Sequence, residues 1–206
     1  WVHAKVPSTV LGALADAGVY NDLYFGKNLE AVPRKQFSQP WWYRKEFEIT
    51  DSTAFPVNRL RFEGINYYAN IWINGRLAAA ADTIKGAFRT FDIDISPFVH
   101  QGKNILAVQV LPPKPGDYYM GFVDWTPRPP DENMGLFRPV ILRRSGEVSI
   151  NNISIQSKVN TQTLAEAFLT VEAEVVNHST GKVTTIVSGE INGTAFQKKV
   201  NLKAGE

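Results

Sequence analysis

The sequence predicts an all-β protein, in which an antiparallel β-sandwich with one short N-terminal helix is followed by a partial second β-sandwich. Apolar and polar residues alternate along much of the chain, as in residues 59–63, and this is the period of a half-buried strand. The dipeptides Asn74-Gly75 and Asn192-Gly193 are strong signals for β-hairpin turns. Strands do not alternate regularly with long helical patterns, so a parallel sheet with crossover helices is not expected.

The N-terminal helix is predicted over residues 10–17. Ser8 or Thr9 can cap its start, Val10, Leu11 and Leu14 form its apolar face, and Gly18 can end it. After a loop rich in Asn, Gly and Pro, the period changes to two. Strands are then predicted over residues 42–49, 59–63, 67–73, 91–95, 105–111 and 137–143.

The sequence also predicts one buried strand face and one short turn. Leu106, Val108 and Val110 alternate and should share one buried face. Ser96 and Pro97 should start a short turn, with Ser96 as the cap and Pro97 at the first helical position.

A long loop, residues 112–134, interrupts this regular pattern. Pro127, Pro129 and Pro130 exclude a central strand or a helix, because proline cannot donate a backbone hydrogen bond. The loop also contains Tyr118, Tyr119, Phe122 and Trp125, which an idle linker would not need. Loops of this length in compact domains are usually functional or disordered.

A domain boundary is predicted near Ser145-Gly146, which gives domains at residues 1–146 and 147–206. The second segment has no Trp, Tyr or Pro and is rich in Val, Thr, Asn and Ser. Its apolar alternation changes phase between Ile150 and Ile153, which predicts a β-bulge near Asn151-Asn152. About four strands are expected here, fewer than the roughly seven of an immunoglobulin-like sandwich. We therefore expect the second sandwich to be incomplete in this chain, with its remaining strands elsewhere in a longer sequence and its edge strands exposed.

The composition excludes several classes of function. The net charge of +2 and the scattered Lys and Arg residues do not indicate a nucleic-acid partner. No apolar run is long enough for a membrane span. The absence of cysteine excludes disulfides and thiolate metal sites. The chain starts at Trp1 rather than Met, so we expect a signal peptide to have been removed and the protein to be periplasmic or secreted.

No metal ion and no cofactor are expected. The histidines His3, His100 and His178 are far apart in the sequence, and no phosphate-binding glycine loop is present. Asp92 and Asp94 lie on one strand face, where a solvated surface is a better interpretation than a calcium site.

Two kinds of carbohydrate chemistry remain for the loop. Its carboxylates could form a pair for glycoside hydrolysis, which would involve Asp117, Asp124, Asp131 and Glu132, although rigid elements hold such pairs better than loops do. Alternatively, Trp125 could stack on the apolar face of a sugar ring while Asp124 binds its hydroxyls. A purely structural interpretation is equally open: Trp125 would close the end of the sandwich and Asp124 would cap a turn.

Several motifs together resemble glycoside hydrolase family 2. They cover nearly the whole chain and comprise VPST at 6–9, RFEGI at 61–65, YANIWING at 68–75, GKNIL at 102–106 and MGLFRPV at 134–140. The middle motifs resemble the core of the N-terminal sugar-binding domain of that family. The opening motif is similar to the start of the β-mannosidase and exo-β-glucosaminidase branches.

The resemblance implies a galactose-binding-like jelly roll over 1–146 and an incomplete immunoglobulin-like sandwich over 147–206. The family adds a (β/α)8 barrel with two catalytic glutamates and a retaining mechanism, and no part of that barrel is in this chain. The chain would therefore contain no catalytic residue. It would be the non-catalytic N-terminal part of a retaining exo-β-glycosidase, with the missing C-terminal barrel of the same polypeptide and the non-reducing end of a β-linked glycan as its partners.

The loop motif resembles the "D-W-x-P" of these branches. That resemblance implies that Asp124 accepts hydrogen bonds from sugar hydroxyls and that Trp125 forms part of the subsite wall. Mannosidases more often have Gly where this chain has Thr126, and the continuation Pro129-Pro130-Asp131 through Gly135 is closer to exo-β-glucosaminidases.

Two other functions remain open. A free-standing carbohydrate-binding module would use the same loop, and a structural adhesin fragment would need neither Asp124 nor Trp125. The sequence leaves open the sugar, the linkage, the oligomeric state, a structural calcium ion, and the order of the 112–134 loop without the barrel.

Overall fold

The computed structural model of the chain describes residues 1–119, 121 and 125–205. These residues form two compact units, one of residues 1–53 and 58–144 and the other of residues 54–57 and 145–205. The domain prediction of 1–146 and 147–206, with its immunoglobulin-like second part, stays a prediction.

The first unit is built mainly of strands. In the described part of the chain these are β1 (Ser8–Thr9), β2 (Trp41–Ile49), β3 (Val57–Phe62), β4 (Tyr68–Ile73), β5 (Arg76–Ala79), β6 (Phe91–Asp94), β7 (Gly102–Leu111), β8 (Gly135–Leu136) and β9 (Val140–Ser145). The helices are α1 (Val10–Asp16), α2 (Asn28–Ala31) and the 3₁₀ helices Arg34–Ser38 and Ser96–Phe98.

Two antiparallel sheets form the sandwich. The larger has the order β2-β7-β4-β5 and the smaller the order β6-β3-β9, and β1 pairs separately with β8. The buried side chains of both sheets belong to one apolar cluster, which includes Phe62 on β3, Ile71 on β4 and Val108 on β7. Leu106, Val108 and Val110 are buried, as their alternation predicts. The prediction of an all-β antiparallel sandwich is confirmed.

Local sequence signals explain several element ends. Thr9 caps α1, because its hydroxyl accepts a hydrogen bond from Gly12 N–H at 3.1 Å. Asn74 and Gly75 have φ values of 51° and 79°, the left-handed conformation that a tight hairpin turn between β4 and β5 requires. The helix and hairpin predictions are therefore confirmed.

Two predictions at element ends differ from the structure, and two short helices were not predicted. Ser96 does not cap its turn: Ile95 occupies that position, and the Ser96 hydroxyl accepts a hydrogen bond from Asn58 N–H at 2.9 Å. The strand predicted over 137–143 starts later, as β9 at Val140, because Pro139 lacks an N–H for the ladder. Helix α2 and the first 3₁₀ helix were not predicted, since such short segments show no helical period.

The second unit contains two antiparallel ladders. Strands β10 (Val148–Val159) and β11 (Ala167–Asn177) form one, and β12 (Val183–Ile191) and β13 (Thr194–Leu202) form the other. The register of β10 shifts between Asn151 and Ser154, which confirms the predicted bulge. The β12–β13 turn has positive φ at Asn192 and Gly193, which confirms the second hairpin.

Asn177 organises the end of β11 in this unit. Its amide donates to the carbonyls of Gly181 and Lys203, both at 2.8 Å, and its side-chain oxygen accepts from Ser179 N–H at 3.0 Å. The side chain is fully buried, so these bonds offset its loss of water. Across the described ranges of both units, no helix is long and apolar enough to span a bilayer.

Candidate functional site

The 112–134 loop connects β7 to β8, and its described residues are held to the first unit at both ends. At the start, Leu111 pairs with Tyr68 in the larger sheet. At the end, Gly135 pairs with Thr9 and exchanges two backbone hydrogen bonds with Asn66, at 2.8 and 2.9 Å. The loop therefore leaves and returns on well-paired backbone.

The first arm of the loop is fixed by Asp117. Its carboxylate accepts hydrogen bonds from the Tyr68 hydroxyl at 2.8 Å and from Lys114 N–H at 2.6 Å. The hydrogen bond to Asp117 raises the pKa of Tyr68 to about 12, because it favours the protonated phenol. The ammonium group of Lys114 lies 5.1 Å from the centre of the Tyr68 ring.

Aromatic side chains surround this arm. Tyr119 contacts Tyr67 edge-on, with ring centroids 6.5 Å apart, and Tyr118 lies 5.7 Å from Phe88. Tyr118 and Phe88 are 82% and 59% exposed, so their ring faces are open to a ligand. Exposed aromatic faces of this kind can stack on the C–H face of a sugar.

The second arm is clamped to the first by Glu132. Its carboxylate forms an ion pair with Arg128 at 2.8 Å and accepts a hydrogen bond from the Tyr119 hydroxyl at 2.9 Å. Arg34 donates to the carbonyl of Arg128 at 2.9 Å. Burial and the bond to Glu132 raise the pKa of Tyr119 above its ordinary value. The residues on either side of the loop tip are thus joined directly.

Asn66 holds the base of the second arm. Its side-chain amide donates to the carbonyls of Glu132 and Asn133, both at 2.9 Å. Glu132 and Asn133 have φ values of 53° and 56°, and this left-handed backbone turns both carbonyls toward one donor. Asn133 in turn donates its side-chain amide to the carbonyl of Gly121 at 3.1 Å.

Asp131 is the buried carboxylate of the loop, with 1% of its surface exposed. It accepts hydrogen bonds from Leu11 N–H at 2.8 Å and from Asn133 N–H at 3.0 Å. Burial raises the pKa of Asp131, and hydrogen bonds from Leu11, Thr9 and Asn133 offset part of that effect.

The raised pKa of Asp131 predicts how stability depends on pH. The folded carboxyl keeps its proton to a higher pH than the unfolded one, so its contribution is fully present below the unfolded pKa and is lost as pH rises through the folded pKa. We expect the free energy of unfolding of wild type, minus that of Asp131→Asn, to increase as pH falls from about 7 to about 4. Urea unfolding across this range measures it, and a constant difference would contradict the prediction.

The loop carboxylates do not form a catalytic pair in the described part of the chain. Asp117 is bound to Tyr68, Glu132 is ion-paired to Arg128, and Asp131 is buried against α1. Each carboxylate thus has a positioning contact rather than an open site for a water and a sugar.

The two aspartates that the sequence analysis considered for a calcium site also have partners within the protein. Asp92 pairs with Arg59 at 3.1 Å and with Arg143 at 3.8 Å, and Asp94 accepts from Ser96 N–H at 2.9 Å. Over the residues with described positions, no group of three or more His, Cys, Asp and Glu side chains could hold a metal ion.

Of the two predicted site residues, the structure describes Trp125. Trp125 is 84% exposed, so its indole is accessible to a ligand. Asp124 lies outside the described residues. The sugar-binding role of both stays a prediction. Sequence reasoning did not identify Asn66 or Tyr68 as residues that fix the loop, because their contacts join distant parts of the chain. It did not identify Arg128 either, although Glu132 lies only four residues away.

A cavity of about 1020 Å³ lies elsewhere in the first unit. Residues 1–4, Val6, β2 and β9 contribute to its lining, which is mostly apolar, and the described loop residues do not. It therefore does not contribute to the candidate site.

Comparison with known proteins identifies relatives of both the sequence and the fold. Residues 1–116 match the family described as glycosyl hydrolase 2 galactose-binding domain-like. The chain is 39% identical over its whole length to an exo-β-D-glucosaminidase of Amycolatopsis orientalis, covering 20% of that protein. It is 36% identical over its whole length to an exo-β-D-glucosaminidase of Streptomyces avermitilis, covering 23% of that protein.

The structural comparison agrees with the sequence comparison. The crystal structure of the Amycolatopsis orientalis exo-chitosanase CsxA superimposes with a TM-score of 0.94 and 39% identity, covering all of this chain and 24% of that one. The chain thus spans between a fifth and a quarter of the length of the relatives named here.

Proposed function

We propose, because this chain belongs to the glycosyl hydrolase 2 family and carries its galactose-binding-like domain, that it is the non-catalytic N-terminal part of a retaining exo-β-glycosidase. The observation that carries the proposal is the 39% identity to an exo-β-D-glucosaminidase over the full length of the chain. The catalytic barrel of the same polypeptide would supply the two carboxylates that a retaining mechanism requires.

The substrate is the non-reducing end of a β-linked glycan, with a β-glucosaminide favoured over a β-mannoside. The named relatives are exo-β-D-glucosaminidases. The Pro129-Pro130-Asp131 segment of this chain also resembles that branch. The location that fits this proposal is the one expected from the sequence, the periplasm or the outside of the cell.

The 112–134 loop forms part of the sugar subsite in this proposal. The exposed indole of Trp125 stacks on the apolar face of the terminal sugar, and Asp124 accepts hydrogen bonds from its hydroxyls. The clamp of Glu132 on Tyr119 and Arg128 supports this role, because residues that are already fixed beside the tip lose less entropy when the ligand arrives.

Kinetics of the glycosidase that contains this chain test the subsite. Asp124→Ala and Trp125→Ala are assayed with nitrophenyl β-glucosaminide, β-mannoside and β-galactoside. We expect kcat/KM to fall by more than about tenfold, or over ~1.4 kcal/mol, on the glucosaminide alone. Loss on the mannoside alone would reassign the branch.

A matched control is Tyr24→Ala, which removes another aromatic side chain that is 92% exposed but lies outside the loop. It should leave kcat/KM unchanged on all three substrates. If Asp124→Ala and Trp125→Ala behaved in the same way, the chain would be a scaffold and the subsite proposal would be wrong.

The second candidate function is a free-standing carbohydrate-binding module. The exposure of Trp125 and Tyr118 favours it, since both ring faces are accessible without a barrel. Calorimetric titration of the chain with glucosamine oligomers distinguishes the two candidates. Binding that Trp125→Ala abolishes would support the module, whereas no binding at millimolar sugar would leave the subsite proposal.

A further inference from the structure

Asp131 has an unusual position for a charged side chain. It lies six residues after Trp125, in a loop, and is 1% exposed. Aspartate is almost never fully buried unless it is paired, because burial removes water from the charge. A buried carboxylate therefore points to partners that depend on it.

Those partners are at the start of α1, far away in the sequence. The first N–H groups of a helix have no partner within the helix. Here Leu11 N–H donates to the carboxylate of Asp131 at 2.8 Å, and Val10 N–H donates to the carbonyl of Met134 at 2.7 Å. The returning arm of the loop thus supplies acceptors for α1, and α1 fixes that arm in place.

The constraint continues from Asp131 toward the loop tip. Asp131 also accepts from Asn133 N–H at 3.0 Å, and Asn133 donates to the carbonyl of Gly121 on the other arm. The neighbouring Glu132 holds Tyr119 and Arg128. Displacement of residues 131–133 would therefore move the residues that flank the tip on both sides.

We propose that Asp131 is a positioning residue for the sugar-binding tip of the loop, which it holds in place through α1. The inference rests on the proposed function, because it assigns Asp131 to the subsite that contains Asp124 and Trp125. Asp131 itself does not touch the sugar; through residues 132 and 133 it fixes Gly121, Tyr119 and Arg128, which flank the tip on both sides. Misplacement of a binding group by about 1 Å can cost up to about 100-fold in rate, so the effect should be measurable.

Asp131→Asn is the direct variant. It keeps the volume of the side chain, but its amide nitrogen cannot accept a hydrogen bond, so Leu11, Asn133 and Thr9 compete for one acceptor oxygen. In the glycosidase that contains the chain, we expect kcat/KM on the glucosaminide to fall at least tenfold. A helix cap without a positioning role would lower thermal stability alone.

A mobility measurement separates positioning from stability. The chain has no cysteine, so Trp125→Cys gives a single site for a nitroxide spin label. In folded protein, Asp131→Asn should narrow the spectrum of this label relative to the parent. A label at Asp82→Cys, another exposed loop position of the first unit, should not change.

Asp94→Asn is the matched substitution. It also removes a carboxylate that accepts a backbone hydrogen bond, from Ser96 N–H at 2.9 Å, but on a different turn. It should change neither the label at position 125 nor kcat/KM. An equal effect of Asp94→Asn on both readouts would overturn the proposal.

Two further results keep the inference distinguishable from the proposed function. If Trp125→Ala leaves kcat/KM unchanged, the proposed function is wrong. If Trp125→Ala lowers kcat/KM but Asp131→Asn changes neither kcat/KM nor the label, only the positioning role is wrong. If Asp131→Asn does not fold, Thr9→Val decides by the same label; it removes one donor to Asp131 together with the cap on Gly12 N–H. An unchanged spectrum in Thr9→Val would then overturn the proposal.

Discussion

Alanine in place of Gly135 is expected to lower the free energy of unfolding of the first unit by about 3 kcal/mol or more. Gly135 has a φ of 146°, and a Cβ there would lie 2.8 Å from the carbonyl oxygen of Ser8 and 2.9 Å from the Cα of Thr9. Both atoms belong to the backbone, so neither can turn aside as a flexible side chain would. Relief would require the β1–β8 pair or the hydrogen bonds to Asn66 to separate.

Tryptophan fluorescence during urea unfolding measures this effect in the first unit alone, because all five Trp residues lie before residue 145. Gly102→Ala is the control. Its φ of 92° is also left-handed, but a Cβ there meets no atom within 4 Å, so only the cost of the backbone conformation remains, about 1–2 kcal/mol. Equal losses in the two variants would show that the close backbone contact at Gly135 contributes nothing.

The elements that sequence reasoning predicted well are those whose signals are local. The alternation of Leu106, Val108 and Val110 follows from the two-residue period of a strand, and all three are buried. The Asn-Gly turns at 74–75 and 192–193 adopt left-handed backbone because those residue types tolerate it. The bulge in β10 could be predicted since the apolar pattern changed phase within a few residues.

The contacts that hold the loop could not be predicted in this way. Asp131 and Leu11 are separated by 120 residues, and no periodicity connects a carboxylate in a loop with a backbone N–H group at a helix start. Asp117, Asp131 and Glu132 look alike in the sequence, yet one binds a tyrosine hydroxyl, one is buried and one pairs with an arginine. Only the fold distinguishes these environments, and the environment decides what each carboxylate does.

The resemblance to a family supplied what local patterns could not, namely the prediction that the loop takes part in sugar binding. It pointed to Asp124 and Trp125 but not to the residues behind them. Asn66, in the sequence between two recognised motifs, carries no pattern of its own, although it donates to two loop carbonyls. Residues that support a site are found by tracing hydrogen bonds from it.

The second large effect is expected in the core, where replacing Phe62 with alanine should cost about 3–5 kcal/mol of the free energy of unfolding. Phe62 lies on β3, opposite Phe91 of β6, and is 0% exposed. Its removal deletes the contacts of a whole ring and leaves a cavity between the two sheets. The same fluorescence-detected urea unfolding measures it.

Phe88→Ala is the matched control, because it deletes the same ring at a position that is 59% exposed. Little apolar surface returns to water there, so the loss should stay below about 1 kcal/mol. The two rings also have different surroundings. Phe62 belongs to the buried cluster of the sandwich, whereas Phe88 contacts Tyr118 of the loop. If Phe88→Ala destabilised the first unit as much as Phe62→Ala, the loop would be part of the folding core, and its exposed aromatic side chains could no longer be assigned to ligand binding alone.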